Sequence, residues 1–414
     1  MNKLVGCAVF LALAVVSRIQ AEDWPQWGGP DRDHVSKEKG LLQDWPSAGP
    51  KQVWLNSTAG AGYSGIAVVN GRIYTMGLRG ERDYLIALDA KDGKEIWATV
   101  IGPTFSESHG DGPRGTPTVQ GDRVFALNGE GILIAANTQD GKPLWKKTMR
   151  ELGGNVATWG YTESLYVDDQ NVYCTPGGSK GAIAALDART GEMKWQTKDF
   201  TAPAHYSSMV PAQINGTRQL VQLMPPAVVG VAPEDGKVLW QSDWHGRTAV
   251  IPSPVVHDNY VYITSGYGAG DKLVKINPGN KPETIYDHKV MKNHHGGVVL
   301  VGDYLYGYSD GSGWLCQKFL TGEQVWASKN LGKGAVLAAG DRLYCLDENT
   351  GTVVLAEASP KGWQDHGRFT LKPQSAQRSR EGKVWTHPVI ANGKLYLRDQ
   401  EYLFCFNIAT TDIR

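Results

Sequence analysis

Short apolar runs alternate with polar, Gly-rich turns along most of the chain. One run recurs with a β-branched residue or Leu near its start, most often followed by an aromatic. Its copies are Arg72-Ile73-Tyr74, Arg123-Val124-Phe125, Asn171-Val172-Tyr173, Arg218-Gln219-Leu220, Tyr260-Val261-Tyr262, Tyr304-Leu305-Tyr306, Arg342-Leu343-Tyr344 and Lys394-Leu395-Tyr396. The first and last starts, 72 and 394, lie 322 residues apart in seven steps, a mean of 46. Most follow a hairpin signal such as Asn70-Gly71, Gly121-Asp122 or Asn392-Gly393. Such dipeptides accept the positive φ of tight hairpins.

A second pattern follows each hairpin: a strand, a turn, then Gly-x-x-x-Trp. It occurs as Gly93/Trp97, Gly141/Trp145, Gly191/Trp195, Gly236/Trp240 and Gly322/Trp326. Tyr286 stands near the Trp slot of the fifth repeat, and the seventh, around Trp363 to Phe369, is degenerate. Four short strands at a period of 40–50 residues predict a β-propeller blade. The expected fold is therefore all-β: an eight-bladed propeller of four-stranded antiparallel blades. The last repeat has only three strands, at about 386–391, 394–399 and 401–408. Lys51-Gln52-Val53-Trp54-Leu55 carries the missing Trp and is expected to complete that blade as its fourth strand. Both chain ends then lock one ring and remove an exposed edge.

Composition narrows the class further. The chain has 414 residues and 50 Gly, a surplus that long helices tolerate badly. Lys plus Arg and Asp plus Glu are 42 each, so the formal net charge is zero and no nucleic-acid partner is expected. Lys3 and the apolar run over 4–16, followed by Ile19-Gln20-Ala21, read as a signal peptide over 1–21. The run is too short for an ordinary membrane span. Apolar residues lie after Cys7 rather than before it, so no lipidation is expected. The mature chain is expected to be periplasmic or secreted, a monomer without a transmembrane span. Residues 22–50 form an N-terminal arm packed on the propeller of 51–414. Cys174, Cys316, Cys345 and Cys405 lie far apart and read as buried thiols in strands.

The Leu-Asp-Ala-x-x-Gly-x-x-x-Trp copies resemble the repeats of the pyrroloquinoline-quinone (PQQ) propeller superfamily, which includes quinoprotein dehydrogenases and the BamB assembly factors. Trp24-Pro25-Gln26-Trp27-Gly28-Gly29-Pro30 resembles the leader of secreted PQQ-repeat-like propellers of planctomycete-type bacteria. So do Trp159-Gly160-Tyr161-Thr162-Glu163-Ser164 and Asn293-His294-His295-Gly296-Gly297. The resemblance covers the mature chain and implies the fold; one fold hosts many functions.

Candidate chemistry follows from the expected ring. The eight first-strand starts converge on the channel, and they hold four of the ten His. The candidate ligand-binding residues are Arg114, Tyr161, Glu163, His205, Tyr206, His294, His295, Lys333, Trp385 and His387. The alternative is that they satisfy inner-strand backbone groups and channel water, with Arg114 paired to Glu163. Neighbours on a strand face opposite ways, so His294 and His295 are not expected to share an ion, and no metal site is expected. Ser265 to Gly270 reads as a loop rather than a nucleotide cradle. The expected ligand at the channel mouth is a small molecule or a protein. Three readings remain open: a binding or interaction scaffold, a PQQ-dependent dehydrogenase, and a carbohydrate-binding or carbohydrate-active protein. The resemblance implies PQQ with calcium for the dehydrogenase, held by acidic and amide ligands above a vicinal disulfide. Here Glu163 is essentially the one acidic candidate and vicinal cysteines are missing, so that cofactor is not favoured.

Overall fold

A computed structural model describes residues 22–410. The expected signal peptide, 1–21, lies outside the described residues. Eight sheets follow one another around a ring. Blades 1 to 7 span residues 67–103, 118–148, 166–196, 210–243, 255–288, 298–328 and 334–370. Blade 8 takes Val389–Ala391, Lys394–Asp399 and Tyr402–Asn407 from the C-terminal end and Lys51–Asn56 as its outer strand. Trp54 pairs with Cys405 and Lys51 with Asn407, so the N-terminal strand closes the ring. Blades 1 to 7 pair their four strands antiparallel in chain order, because short hairpin connections leave each strand beside the last. The core is layered between blades. One layer joins Tyr74, Leu85 and Trp97 of blade 1 to Val124, Ile134 and Ala136 of blade 2, and comparable layers recur around the ring. All four described cysteines are buried free thiols within strands.

The Gly-x-x-x-Trp turn has a physical basis. A β-bulge precedes the slot residue in seven of the eight outer strands, as between the pairs Ala87/Trp97 and Leu88/Glu95. It re-aims the Trp toward the following blade and leaves the preceding apolar residue outside. Val53, Ile96, Leu144 and Ile285 are accordingly 40–47% exposed. Trp97 Nε1 donates to Thr138 O at 3.1 Å, and Gly141 of that same turn lies under the indole. Trp54, Trp145 and Trp195 repeat the bond to Ala90, Ala188 and Pro233. Tyr286 substitutes by donating from Oη to Phe319 O at 2.8 Å. Trp240 instead donates to Gln219 of its own blade, whose amide bonds Asn280 in the next blade's turn, where the Gly-x-x-x-Trp spacing is missing. A Cβ on Gly141, at φ +71°, would stand 2.5 Å from the Trp97 ring. Gly141→Ala is therefore expected to lose about 1–3 kcal/mol in a denaturant titration; a neutral result would show that the seam yields.

Residues 22–50 divide into two parts. Residues 22–38 form a finger that enters the channel from the hairpin face, turns, and leaves by the same face. Trp24 bridges Val68 of blade 1, and Pro25 O accepts from Val119 N of blade 2. Trp27 Nε1 reaches Ser253 Oγ before blade 5. The turn needs Gly29, at φ +80°, because a Cβ there would stand 2.8 Å from the Trp24 ring. Arg32 is fully buried and donates to Ser164 O, Leu165 O, Met209 O and Gln26 Oε1. Val35–Ser36 then pairs parallel with the inner strand of blade 7. Glu38 fastens the base by accepting from the backbone N–H groups of Asn392 and Gly393. Residues 39–50 cross to the outside, with Trp45 packed on Gly367, Tyr344 and Phe369.

Candidate functional site

The finger stops short of the opposite face, where the interblade loops converge. Above Trp27 lies a cavity of about 180 Å³. Its wall includes an unbroken arc of ring contacts. The arc runs from Tyr206 to Trp159 (centroids 5.4 Å apart), His109 (6.4 Å), Trp385 (6.1 Å), His295 (5.1 Å), His294 (4.1 Å) and Tyr267 (4.8 Å). Trp27, packed between His34 and His387 at 4.6 Å from each, forms the floor. Tyr267 stands 61% exposed at φ 54°, a left-handed conformation uncommon for a bulky residue and typical of functional loops.

Loop 104–117, between blades 1 and 2, supplies one polar cluster. Arg114 donates to Gly112 O at 2.6 Å, Gly110 O at 2.7 Å and Glu107 Oε1 at 2.9 Å. Glu107 Oε2 accepts from the backbone N–H of His109 at 3.0 Å and pairs with its Nδ1 at 2.8 Å. Burial alone would raise the Glu107 carboxyl. The His109 backbone and imidazole, then Arg114, outweigh it and hold Glu107 below its usual range. An ionised carboxylate only accepts, so Nδ1 of His109 carries a proton. Nε2 of the same ring lies 3.6 Å from Glu381 Oε2, so His109 stands between two carboxylates.

The opposite wall has the reverse polarity. Lys333 Nζ lies 2.7 Å from Asp310 Oδ1 and 2.9 Å from His294 Nδ1. An ammonium only donates, so Nδ1 of His294 accepts and its proton sits on Nε2. Burial first, and Lys333 second, push His294 down to about 4. His295 is also held well below its usual value by burial, with Nδ1 3.3 Å from Glu348 Oε2. Burial raises Glu348 to about 7, and Trp385 Nε1 donates to it at 3.2 Å. His387 donates from Nε2 to His295 O at 2.8 Å and is lowered to about 4 by burial. In an NMR titration His294 is expected to stay neutral to about pH 4, and Lys333→Met to raise its midpoint. An unchanged midpoint in that variant would remove Lys333 as a cause.

Of the ten candidates, Arg114, Tyr206, His294, His295, Trp385 and His387 line the cavity. Lys333 stands behind His294. Tyr161 turns into the core, its hydroxyl donating to Asn155 O and Pro176 O. Glu163 accepts from Thr175 N and Oγ1, so Arg114 pairs with Glu107 and not with Glu163. His205 Nδ1 accepts from Val250 N at 3.1 Å. His294 and His295 precede the strand Val298–Val301, and their rings stack at 19°; the alternation argument fails because they are in a loop. Glu107, His109 and Tyr267 escaped the sequence reading because they sit away from the strand starts. Trp27 escaped it because it arrives on the finger.

The donor set does not suit calcium-bound PQQ. Calcium takes six to eight oxygen ligands, whereas imidazoles and indoles dominate this wall. Among the described residues no cluster of three His, Cys, Asp or Glu is arranged to hold a metal. The quinone's three carboxylates would need cations, and Arg114 and Lys333 are already engaged by Glu107 and Asp310.

The family model described as "Outer membrane protein assembly factor BamB" matches residues 40–158 and 83–328. The outer membrane protein assembly factor BamB of Burkholderia pseudomallei (strain K96243) is 27% identical over 206 residues, 49% of this chain and 48% of that protein. A polyvinylalcohol dehydrogenase of Pseudomonas sp. is 25% identical over 350 residues, 68% of this chain and 53% of that protein. The chain thus spans about half the length of these two relatives. The crystal structure of BamB from Moraxella catarrhalis aligns with a TM-score of 0.60 at 15% identity, covering 83% of this chain and 96% of that one. A quinohemoprotein alcohol dehydrogenase from Comamonas testosteroni aligns at 0.51 and 14%, covering 95% and 81%. At these identities the alignments show the fold alone.

Proposed function

The chain belongs to the family described as outer membrane protein assembly factor BamB, and from that premise we propose that it is an exported, monomeric binding propeller. Its ligand, a small molecule or a protruding group of a protein, enters the mouth pocket above Trp27. The observation that carries this reading is the blind, ring-walled cavity whose charged groups are already paired within the protein. Such a wall suits an uncharged, partly apolar ligand. Export is supported by the signal-like residues 1–21, and among the described residues no helix is long and apolar enough to cross a membrane. The relatives named as dehydrogenases keep a quinoprotein reading in view, but the donor set argues against it.

Native mass spectrometry of the protein exported in its own host tests the proposal. A retained mass other than PQQ and calcium is expected, lost in Trp159→Ala with Trp385→Ala. Stoichiometric PQQ with calcium would overturn it in favour of a dehydrogenase.

A further inference from the structure

We infer that the mouth pocket recognises the free end of a neutral saccharide chain. The inference rests on the reading of the mouth as a binding pocket and names the ligand class.

The hydrogen-bonding polarity of the two walls is fixed, and it is opposite. Glu107 holds the proton of His109 on Nδ1, and Nε2 faces the Glu381 carboxylate at 3.6 Å, so this wall is acidic. Lys333 holds Nδ1 of His294 as an acceptor, leaving Nε2–H as a donor. A carboxylate ligand would satisfy His294 and be repelled at the Glu107 side. An ammonium would do the reverse. A hydroxyl both donates and accepts, so neighbouring hydroxyls on one ring satisfy both walls.

The shape of the wall selects further. The ring planes turn along the arc: His109 and Trp159 meet at 87° and Tyr267 and His294 at 81°. The Tyr206/Trp159, His109/Trp385 and His295/Trp385 pairs are tilted by 38–55°, and His294 stacks on His295. They make a cup, not a slot with parallel walls. A puckered ring with apolar C–H faces and equatorial hydroxyls fits a cup; a flat nucleobase fits a slot. Finally, the pocket is blind. Trp27, carried on the finger, closes the mouth from below. A mid-chain sugar unit has neighbours on two sides, and only a terminal unit can enter.

The test is a glycan array of neutral and acidic oligosaccharides probed with the full exported chain, followed by tryptophan-fluorescence titrations. These use linear maltohexaose, the best neutral array glycan, α-cyclodextrin and adenosine. Neutral linear chains sharing one terminal unit are expected to bind, and the ring-closed α-cyclodextrin is not. His109→Gln and Lys333→Met are each expected to weaken binding about tenfold. Nitrogen NMR of the Lys333→Met variant should show His294 no longer confined to one tautomer, a change that a purely structural lysine would not produce. Equal binding of cyclic and linear chains would overturn end recognition. Tighter binding of adenosine or of acidic glycans, or no array binding while native mass spectrometry shows another retained ligand, would overturn the saccharide class and leave the pocket standing. No array binding together with no retained ligand would overturn both.

Discussion

Arg32→Ala is expected to lower folding stability by about 3–5 kcal/mol, the range for removing one partner from a buried charged network. Its guanidinium is the only cation of the finger's tip, and it donates to three backbone carbonyls of blades 3 and 4 and to Gln26. Burial lowers it to about 10, with Glu163 the largest opposing influence. Burial likewise raises Glu163 to about 7, against about 4.3 for a free Glu. A raised carboxyl contributes stability that is complete below the unfolded value and lost as pH climbs through the folded one. Arg32 is among the groups restraining that rise. Without it Glu163 goes higher, so the deficit is expected to be larger at pH 8 than at pH 5. Guanidinium titrations at both pH values measure this. Adding Glu163→Gln should abolish the difference between them; equal deficits in the single variant would sink the coupling.

Arg398→Met should cost a comparable amount, about 3–5 kcal/mol, at a different place. Arg398 lies in the blade 8 strand Lys394–Asp399, fully buried, and is lowered to about 9 by that burial. It donates to Gly60 O, Ser64 O, Thr75 Oγ1 and Met76 O, all on the blade 1 side, and to Gln400 O. Met fills similar space but donates nothing, which strands several buried carbonyls. Thr75 and Ser64 also bond Gly65 O and Gly115 O, so the damage should spread toward blade 2. Hydrogen exchange is expected to quicken across the blade 8–blade 1 seam and to stay slow in blades 3 to 5. A uniform increase would argue against a local seam.

The ring was legible because its rules are local. Seven second strands begin on the residue marked by the repeat, and the fourth, Thr217–Met224, begins one residue earlier. Hairpin dipeptides and bulged Trp slots are written into consecutive residues. The site was only half legible. Residues just ahead of the inner strands, such as His294 and Trp385, reach the cavity because the interblade segments that carry them converge on the axis. Glu107 and His109 come from a loop whose length no other blade repeats. Glu163 looked like a site carboxylate, yet its neighbours are Thr175 and the buried Arg32, a residue of the finger. No period in the sequence announces a segment that passes inside the ring, since its partners are backbone carbonyls common to any strand.

The finger and the closing strand also set an order of events. Glu38 meets Asn392 across 354 positions, and Gly62 meets Gln400 across 338. Residues 22–56 precede the blades in translation, yet the blade 8 partners of Glu38 and of the strand Lys51–Asn56 arrive last. Until blade 8 emerges, the growing protein is an open crescent, and the strand Lys51–Asn56 has no sheet to join. Assembly cannot proceed strictly from the first residue to the last; a long-range closure must end it, and such closures are slow. The interval before the crescent shuts is when this protein is most exposed to aggregation and proteolysis.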